Sequence, residues 1–215
     1  MVKAKILTEF IGTFFLVLTI GMVVVGGALP TSVIAIGFAL AVLVYMGGHV
    51  SGAHYNPAVS LGLFLSGKMS ASEFGQYVVA QLLGGFAGAY GSYFITGKTF
   101  GPAPAQTASI PQALCVEILF TFMLMLVVFN VAVHEKTKGN SFYGLAIGGT
   151  IVAAAYAGGP ISGGAFNPAV GIGPNLLNMM ITQAPISHIW IYIVGPCIGA
   201  VAAGAVYNMQ REPEA

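Results

Sequence analysis

The side chains of this sequence best suited to recognising another molecule are two carboxamides. Asn56 and Asn167 each open an Asn-Pro-Ala tripeptide, Asn56-Pro57-Ala58 and Asn167-Pro168-Ala169. An amide donates and accepts hydrogen bonds without carrying charge, which suits small neutral molecules that bear oxygen. Acid–base, nucleophilic and metal chemistry lack their parts. The chain contains no Asp, and it shows no nucleophile beside a base and no phosphate loop. His54 lacks a second ligand at metal spacing, because His49 stands five positions away in an irregular stretch. It is read as making a structural hydrogen bond, and His134 and His188 as interfacial. Cys115 and Cys197 both fall in apolar runs and form neither a disulfide framework nor a metal cluster. The chain therefore reads as a recognition device with no metal or cofactor, and not as an enzyme.

The elements that position these amides occur twice. Shifted by 111 positions without a gap, Ser51 and Gly52 fall on Ser162 and Gly163, Asn56 to Val59 on Asn167 to Val170, and Gly62 on Gly173. Further out, Ile36 and Gly37 fall on Ile147 and Gly148, and Tyr45 on Tyr156; in a slightly different register Glu9, Thr13 and Phe14 fall on Glu117, Thr121 and Phe122. Residues 1–215 thus form one domain of two repeats, approximately 1–100 and 108–210.

Composition places that domain in a bilayer. The chain is 57% hydrophobic and 6% charged, with a mean hydropathy of +0.88, too apolar for a soluble surface. A net charge of +1 gives no reason to expect a nucleic-acid partner. The sequence predicts an all-α membrane protein with six transmembrane spans: Ile6 to about Leu29, Ser32 to about Val50, Phe74–Phe94, Gln112–Val133, Phe142–Ala157 and Ile186–Tyr207. A tight turn at Pro30 and Thr31, a Gly- and Pro-rich loop over residues 97–111 and a polar tail over 208–215 complete it. The first run is too long for a signal-peptide core and is read as a retained span.

After the second and fifth spans, Gly, Asn and Pro break the apolar run, which resumes for only ten or so residues. That length covers about 15 Å, half a bilayer, so each piece is expected to be a re-entrant half-helix. Asn is a favoured N-cap and Pro fits the first helical position, so each tripeptide starts its helix. Irregular backbone at membrane depth persists only inside protein or beside water, so Ser51–Tyr55 and Ser162–Phe166 should face an aqueous path.

With the N-terminus inside, Lys3, Lys5, Lys68, Lys136, Lys138 and Arg211 are all cytoplasmic and only Lys98 lies outside, which places both termini in the cytoplasm. Three spans per repeat then invert the second repeat relative to the first. The half-helices enter from opposite sides and their N-termini meet near the midplane. There the two macrodipoles repel cations, and the amide donors bind oxygen while interrupting proton hopping.

The paired Asn-Pro-Ala tripeptides, the preceding SGAH and SGGA, the TEFIGTF and VEILFTF openings and the six-plus-two plan resemble the aquaporin (major intrinsic protein) family over nearly the whole chain. The resemblance implies a right-handed bundle of six tilted helices and two half-helices, one pore per subunit, assembled as a homotetramer in the cell membrane. Its partners would be water, small uncharged solutes and membrane lipids. It maps an outer constriction onto Ile36, Ala155, Gly164 and Val170, where most members keep an Arg at the position of Val170. That substitution is similar to some plant vacuolar members, and AGGPISGGAFNP resembles plant nodulin-type relatives. A ring of Val and Ala is wider and more apolar, so glycerol, urea, ammonia or hydrogen peroxide are expected to pass with water. Against glycerol stand the absence of an Asp after NPAV and the compact loop before the last span, since glycerol facilitators have both the Asp and a longer insertion.

The resemblance also assigns pore-facing carbonyls to Gly52, Ala53 and His54 and to Gly163, Gly164 and Ala165, on extended backbone before each Asn. For Glu9 and Glu117, costly inside a span, it implies a supporting role, each accepting bonds from the N–H groups of a re-entrant loop. The rival for the whole chain is a secondary transporter built on inverted repeats, which would need ionisable groups near the midplane.

Overall fold

The structure, a computed structural model, describes residues 2–27 and 31–211. Among them are eight α-helices: α1 (Val2–Val25), α2 (Ser32–Ser51), α3 (Pro57–Leu65), α4 (Ala71–Thr96), α5 (Ile110–Val128), α6 (Tyr143–Ser162), α7 (Pro168–Thr182) and α8 (Ile191–Gln210). A single π-helical turn, Phe129–Val133, prolongs α5, which makes six helices long and apolar enough to cross a membrane; α3 and α7 are the remaining two. No strand occurs among the described residues. Leu29 and Pro30, and with them part of the expected turn, lie outside the described residues, as does the tail from residue 212 onward.

Several boundaries differ from the sequence reading. The first span begins at Val2, so Lys3 and Lys5 lie within α1, and Lys5 Nζ stands 2.6 Å from Glu73 of α4. The expected end of the fifth span at Ala157 is wrong. α6 continues through Pro160 to Ser162, because the stop is set by Gly163, left-handed at φ 91°, whose N–H caps Gly159 O. A proline within a helix forfeits one backbone bond, whereas a left-handed glycine ends the helix outright. α2 ends identically, with Gly52 at φ 88° capping Gly48 O, so the two spans before the tripeptides finish on matching serines. The last span starts at Ile191, after turns over residues 187–190, and runs on to Gln210.

The half-helices are unequal. α3 has 9 residues, about 14 Å, but α7 has 15, about 22 Å, and is longer than expected. Its second half is anchored by the connection between α4 and α5: Asn175 Nδ2 donates to Pro102 O at 3.0 Å, and Thr99 Oγ1 donates to Asn178 Oδ1 at 2.6 Å.

Close helix crossings hold the bundle together. A Cβ at Gly84 of α4 would lie 2.5 Å from Phe10 O of α1, and one at Gly88 would collide with Phe14 O. The matching pair on α8 behaves alike, Gly195 facing Glu117 Cβ at 2.7 Å and Gly199 facing Ile118 O and Phe122 N of α5. α2 crosses α6 at Gly37 and Gly148, repeat-equivalent residues that each abut the other's carbonyl. Missing side chains let backbones approach, so dispersion rather than the hydrophobic effect joins helices that lipid also surrounds. Only 33% of the apolar window of α1 is buried within the protein, and 50% of that of α8. Outward-facing Leu7, Phe15, Phe38, Val42, Val79 and Leu83 therefore need lipid or another protein to cover them.

Replacing Gly199 by Leu puts a branched side chain into the backbone of α5. The expected outcome is a destabilisation of about 1–3 kcal/mol or more, read as a lower midpoint in thermal unfolding of the detergent-solubilised protein.

Candidate pore at the paired Asn-Pro-Ala tripeptides

Each tripeptide opens its half-helix in the same way. Asn56 is extended at the N-cap of α3 and its Oδ1 accepts from Ala58 N at 2.9 Å; Asn167 caps α7 and accepts from Ala169 N at 2.9 Å. Such a cap contributes about 1 kcal/mol. The other end of each amide reaches across to the opposite repeat. Asn56 Nδ2 donates to Phe166 O at 2.9 Å, and Asn167 Nδ2 donates to Tyr55 O at 2.9 Å. These reciprocal bonds join the two half-helix N-termini. Each amide nitrogen carries a second hydrogen beyond the one used in the crossing bond.

The segments leading to the tripeptides are not extended, contrary to the sequence reading. Gly52, Ala53 and Tyr55 have φ of 88°, 52° and 48°, and Gly163, Gly164 and Phe166 have 91°, 67° and 49°. Left-handed backbone costs a non-glycine residue about 1–2 kcal/mol. A carboxylate holds each segment in this form. Glu9 accepts from His54 N at 3.0 Å, Tyr55 N at 2.7 Å, Ser51 Oγ at 2.7 Å and Gln81 Nε2 at 2.8 Å. Glu117 accepts from Ala165 N at 3.0 Å, Phe166 N at 2.7 Å and Ser162 Oγ at 2.7 Å. Both carboxylates are fully buried. The N–H groups of two successive residues in each segment, His54 and Tyr55 or Ala165 and Phe166, turn to one carboxylate, a concave arrangement that suits an anion. Charge-assisted bonds at about 1.5–3 kcal/mol each outweigh the backbone cost.

A second brace repeats as well. Tyr77 Oη of α4 donates to Ser51 O at 2.6 Å, and Tyr192 Oη of α8 donates to Ser162 O at 2.5 Å. The Tyr55 ring fills a slot between α1 and α2 where a Cβ at Gly12 or Gly47 would overlap it.

With their N–H groups turned to the carboxylates, the loops back onto a cavity of about 1060 Å³. Its wall follows α2 from Val33 to His49, about 24 Å at 1.5 Å per residue, and it reaches the connection between α5 and α6 at Thr137 and Asn140. Asn56 and Asn167 line it. So do Gly52, Ala53 and His54, and Gly163, Gly164 and Ala165, together with Ile36, Ala155 and Val170. The structure thus brings these residues to one wall, whereas Glu9 and Glu117 lie behind the loops. Pro57, Ala58, Pro168 and Ala169 are buried in the first turns of the half-helices. No group of three or more His, Cys, Asp or Glu that could hold a metal occurs among the described residues.

A model of the family described as "Major intrinsic protein" matches residues 1–207. The chain belongs to the major intrinsic protein family. It is 38% identical to Aquaporin NIP1-1 of Zea mays over 96% of this chain and 74% of that protein. Identity to Nodulin-26 of Glycine max is 34%, over 96% of this chain and 78% of that one. Among solved structures, the aquaglyceroporin from Plasmodium falciparum superposes with a TM-score of 0.87 at 25% identity, covering 98% of this chain and 97% of that one. As a major intrinsic protein the chain is a channel and not an enzyme.

Sequence reasoning overlooked Tyr77, Tyr192, Gln81 and Ser60 of this site. Tyr77 and Tyr192 could have been found as a matched pair in the third and sixth spans, and Gln81 as a polar residue inside an apolar run. Nothing in the order of residues marked Ser60 as a partner of either.

Glu117→Gln replaces one carboxylate oxygen with a donor that faces backbone N–H groups. We expect a loss of about 1–3 kcal/mol, read as a lower melting temperature in detergent, with no proton current gained or lost in reconstituted vesicles.

Proposed function

We propose that this protein is a passive transmembrane channel for water and small neutral solutes that excludes ions and protons. The observation that carries this reading is the meeting of two capped half-helix N-termini, cross-bonded through Asn56 and Asn167, on the wall of one cavity that follows a span for most of its length. Two aligned macrodipoles put partial positive charge at that point, which opposes cations. The second amide hydrogens offer two adjacent donors to an oxygen. A water that accepts both turns its own hydrogens away from its neighbours, which interrupts proton hopping, and the positive half-helix ends add the electrostatic barrier by which aquaporin-type pores in general exclude protons. Carbonyls of Gly52, Ala53 and His54, and of Gly163, Gly164 and Ala165, serve the permeant's own hydrogens.

Ile36, Ala155, Gly164 and Val170 form the outer constriction in this reading. Val170, buried on the cavity wall, stands where a guanidinium would supply charge and donors. An apolar ring discriminates by width rather than by hydrogen bonding, so glycerol, urea, ammonia or hydrogen peroxide pass with water. A structural neighbour whose own description is aquaglyceroporin supports that breadth. The engagement of Glu9 and Glu117 with loop donors leaves neither carboxylate to bind a driving ion, which favours a channel over a transporter.

The domain comprises residues 1–215 as two inverted repeats, approximately 1–100 and 108–210, with both termini cytoplasmic. It sits among the lipids of the plasma membrane, and the outward apolar faces suit a homotetramer. Stopped-flow light scattering on proteoliposomes tests the reading. Linear osmotic flux with a low activation energy, with glycerol and urea admitted and methylammonium excluded, is the expected result, and Val170→Arg should reduce solute flux more than water flux. Vesicles that admit water but none of the neutral solutes would refute the apolar-ring assignment, and saturable ion-dependent uptake would refute the channel.

A further inference from the structure

The two repeats match at the carboxylates, the serines, the tyrosines and the asparagines, but they part company at three positions linked through Ser60 by hydrogen bonds. Gln81, Ser60 and His54 of the first repeat correspond to Pro196, Gly171 and Ala165 of the second. Gln81 and Ser60 are fully buried, and their hydrogen bonds have a direction. Glu9 receives four donors and acts as an acceptor only. Gln81 Nε2 stands 2.8 Å from Glu9 Oε2 and 2.9 Å from Ser60 Oγ, so both of its hydrogens are spent. Ser60 Oγ accepts one of them, and its single proton points to the remaining neighbour, His54 Nδ1, at 3.0 Å. Nδ1 is then the acceptor, and the ring carries its hydrogen on Nε2. That nitrogen lies beside Gly52, where a Cβ would come within 3.1 Å of it, and His54 lines the cavity.

We propose that the side chain of His54 is a specificity-determining group of the solute path, held as the Nε2–H tautomer by the one-way chain from Gln81 through Ser60. This inference rests on the channel reading above. On the first-repeat side of the asparagines the wall offers a fixed donor next to the carbonyls of Gly52 and Ala53, a pair complementary to any group that both accepts and donates, such as a hydroxyl, water or a carboxamide. A cation without a lone pair, such as methylammonium, can donate to the carbonyls but offers nothing to accept the Nε2–H. The second-repeat side offers carbonyls alone, because Ala165 has no donor in its side chain. The path is thus chemically polar along its length although its frame is nearly two-fold.

Solid-state nitrogen NMR of protein with 15N-labelled histidine, reconstituted in lipid bilayers, reads the tautomer directly; the His54 signals are assigned by their absence from His54→Ala. The expected wild-type spectrum has a protonated, pyrrole-type Nε2 and an unprotonated Nδ1. Ser60→Ala should release the ring into a mixture of tautomers. It should also lower glycerol and urea permeability about two- to tenfold, the equivalent of one neutral hydrogen bond, and Ser60→Thr should restore both readouts. The wild-type spectrum stands even if a variant fails to fold. A wild-type His54 protonated on Nδ1, or a Ser60→Ala protein whose solute flux equals wild type, overturns this inference while leaving the channel intact. Wild-type vesicles tight to water and solutes alike end the channel reading and this one with it, whatever the spectrum.

Discussion

Two buried carboxylates set the shape of this molecule. A chain that descends halfway into lipid and turns back must satisfy every backbone N–H that leaves helical geometry, and water is absent there to do so. Glu9 and Glu117 supply the acceptors. By gathering the N–H groups of His54 and Tyr55, and of Ala165 and Phe166, they turn both loops the same way and hold three non-glycine residues in left-handed conformation. The same residues line the cavity. The same bonds that anchor the loops therefore also fix the shape of the cavity wall.

Everything between the carboxylates and the cavity is built to keep that geometry stiff. Tyr77 and Tyr192 pin the carbonyls of the serines that end α2 and α6, and Asn56 and Asn167 lock each loop to the other. Glycines at the α1–α4 and α5–α8 crossings bring the helices bearing the carboxylates against those bearing the tyrosines. A filter that works by orienting a neutral molecule has little energy with which to discriminate, about that of one or two hydrogen bonds, so its donors cannot wander.

Near-symmetry is broken on the cavity wall. The frame needs two equal halves, because the Asn that caps each half-helix also bonds the loop leading to the other. The wall has no such need. Gln81, Ser60 and His54 are linked by hydrogen bonds in the first repeat, where the second has Pro196, Gly171 and Ala165. Duplication supplied the scaffold, and side-chain divergence on one wall differentiated its two ends.

Much of this was legible in the order of residues. Apolar runs of the right length, the doubled tripeptide and the preference of Asn and Pro for helix starts determine six spans, two half-helices and where the latter begin, because these depend on local propensity and on the thickness of lipid. Other features were beyond sequence. Pro160 looks like a helix end yet lies inside α6, since the stop belongs to Gly163; α7 outruns its expected length because Asn175 and Asn178 find partners in the loop over residues 97–109. The left-handed turns of Tyr55 and Phe166 contradict local preference and are held by distant carboxylates that accept from their N–H groups. Likewise, the bonds linking Gln81 to Ser60 and Ser60 to His54 join α4, α3 and the loop before it, and their direction follows from Glu9 on α1. Sequence by itself determined which segments cross the bilayer and what they offer; the tertiary structure decided which way each buried donor and acceptor points, because that depends on partners brought from other helices.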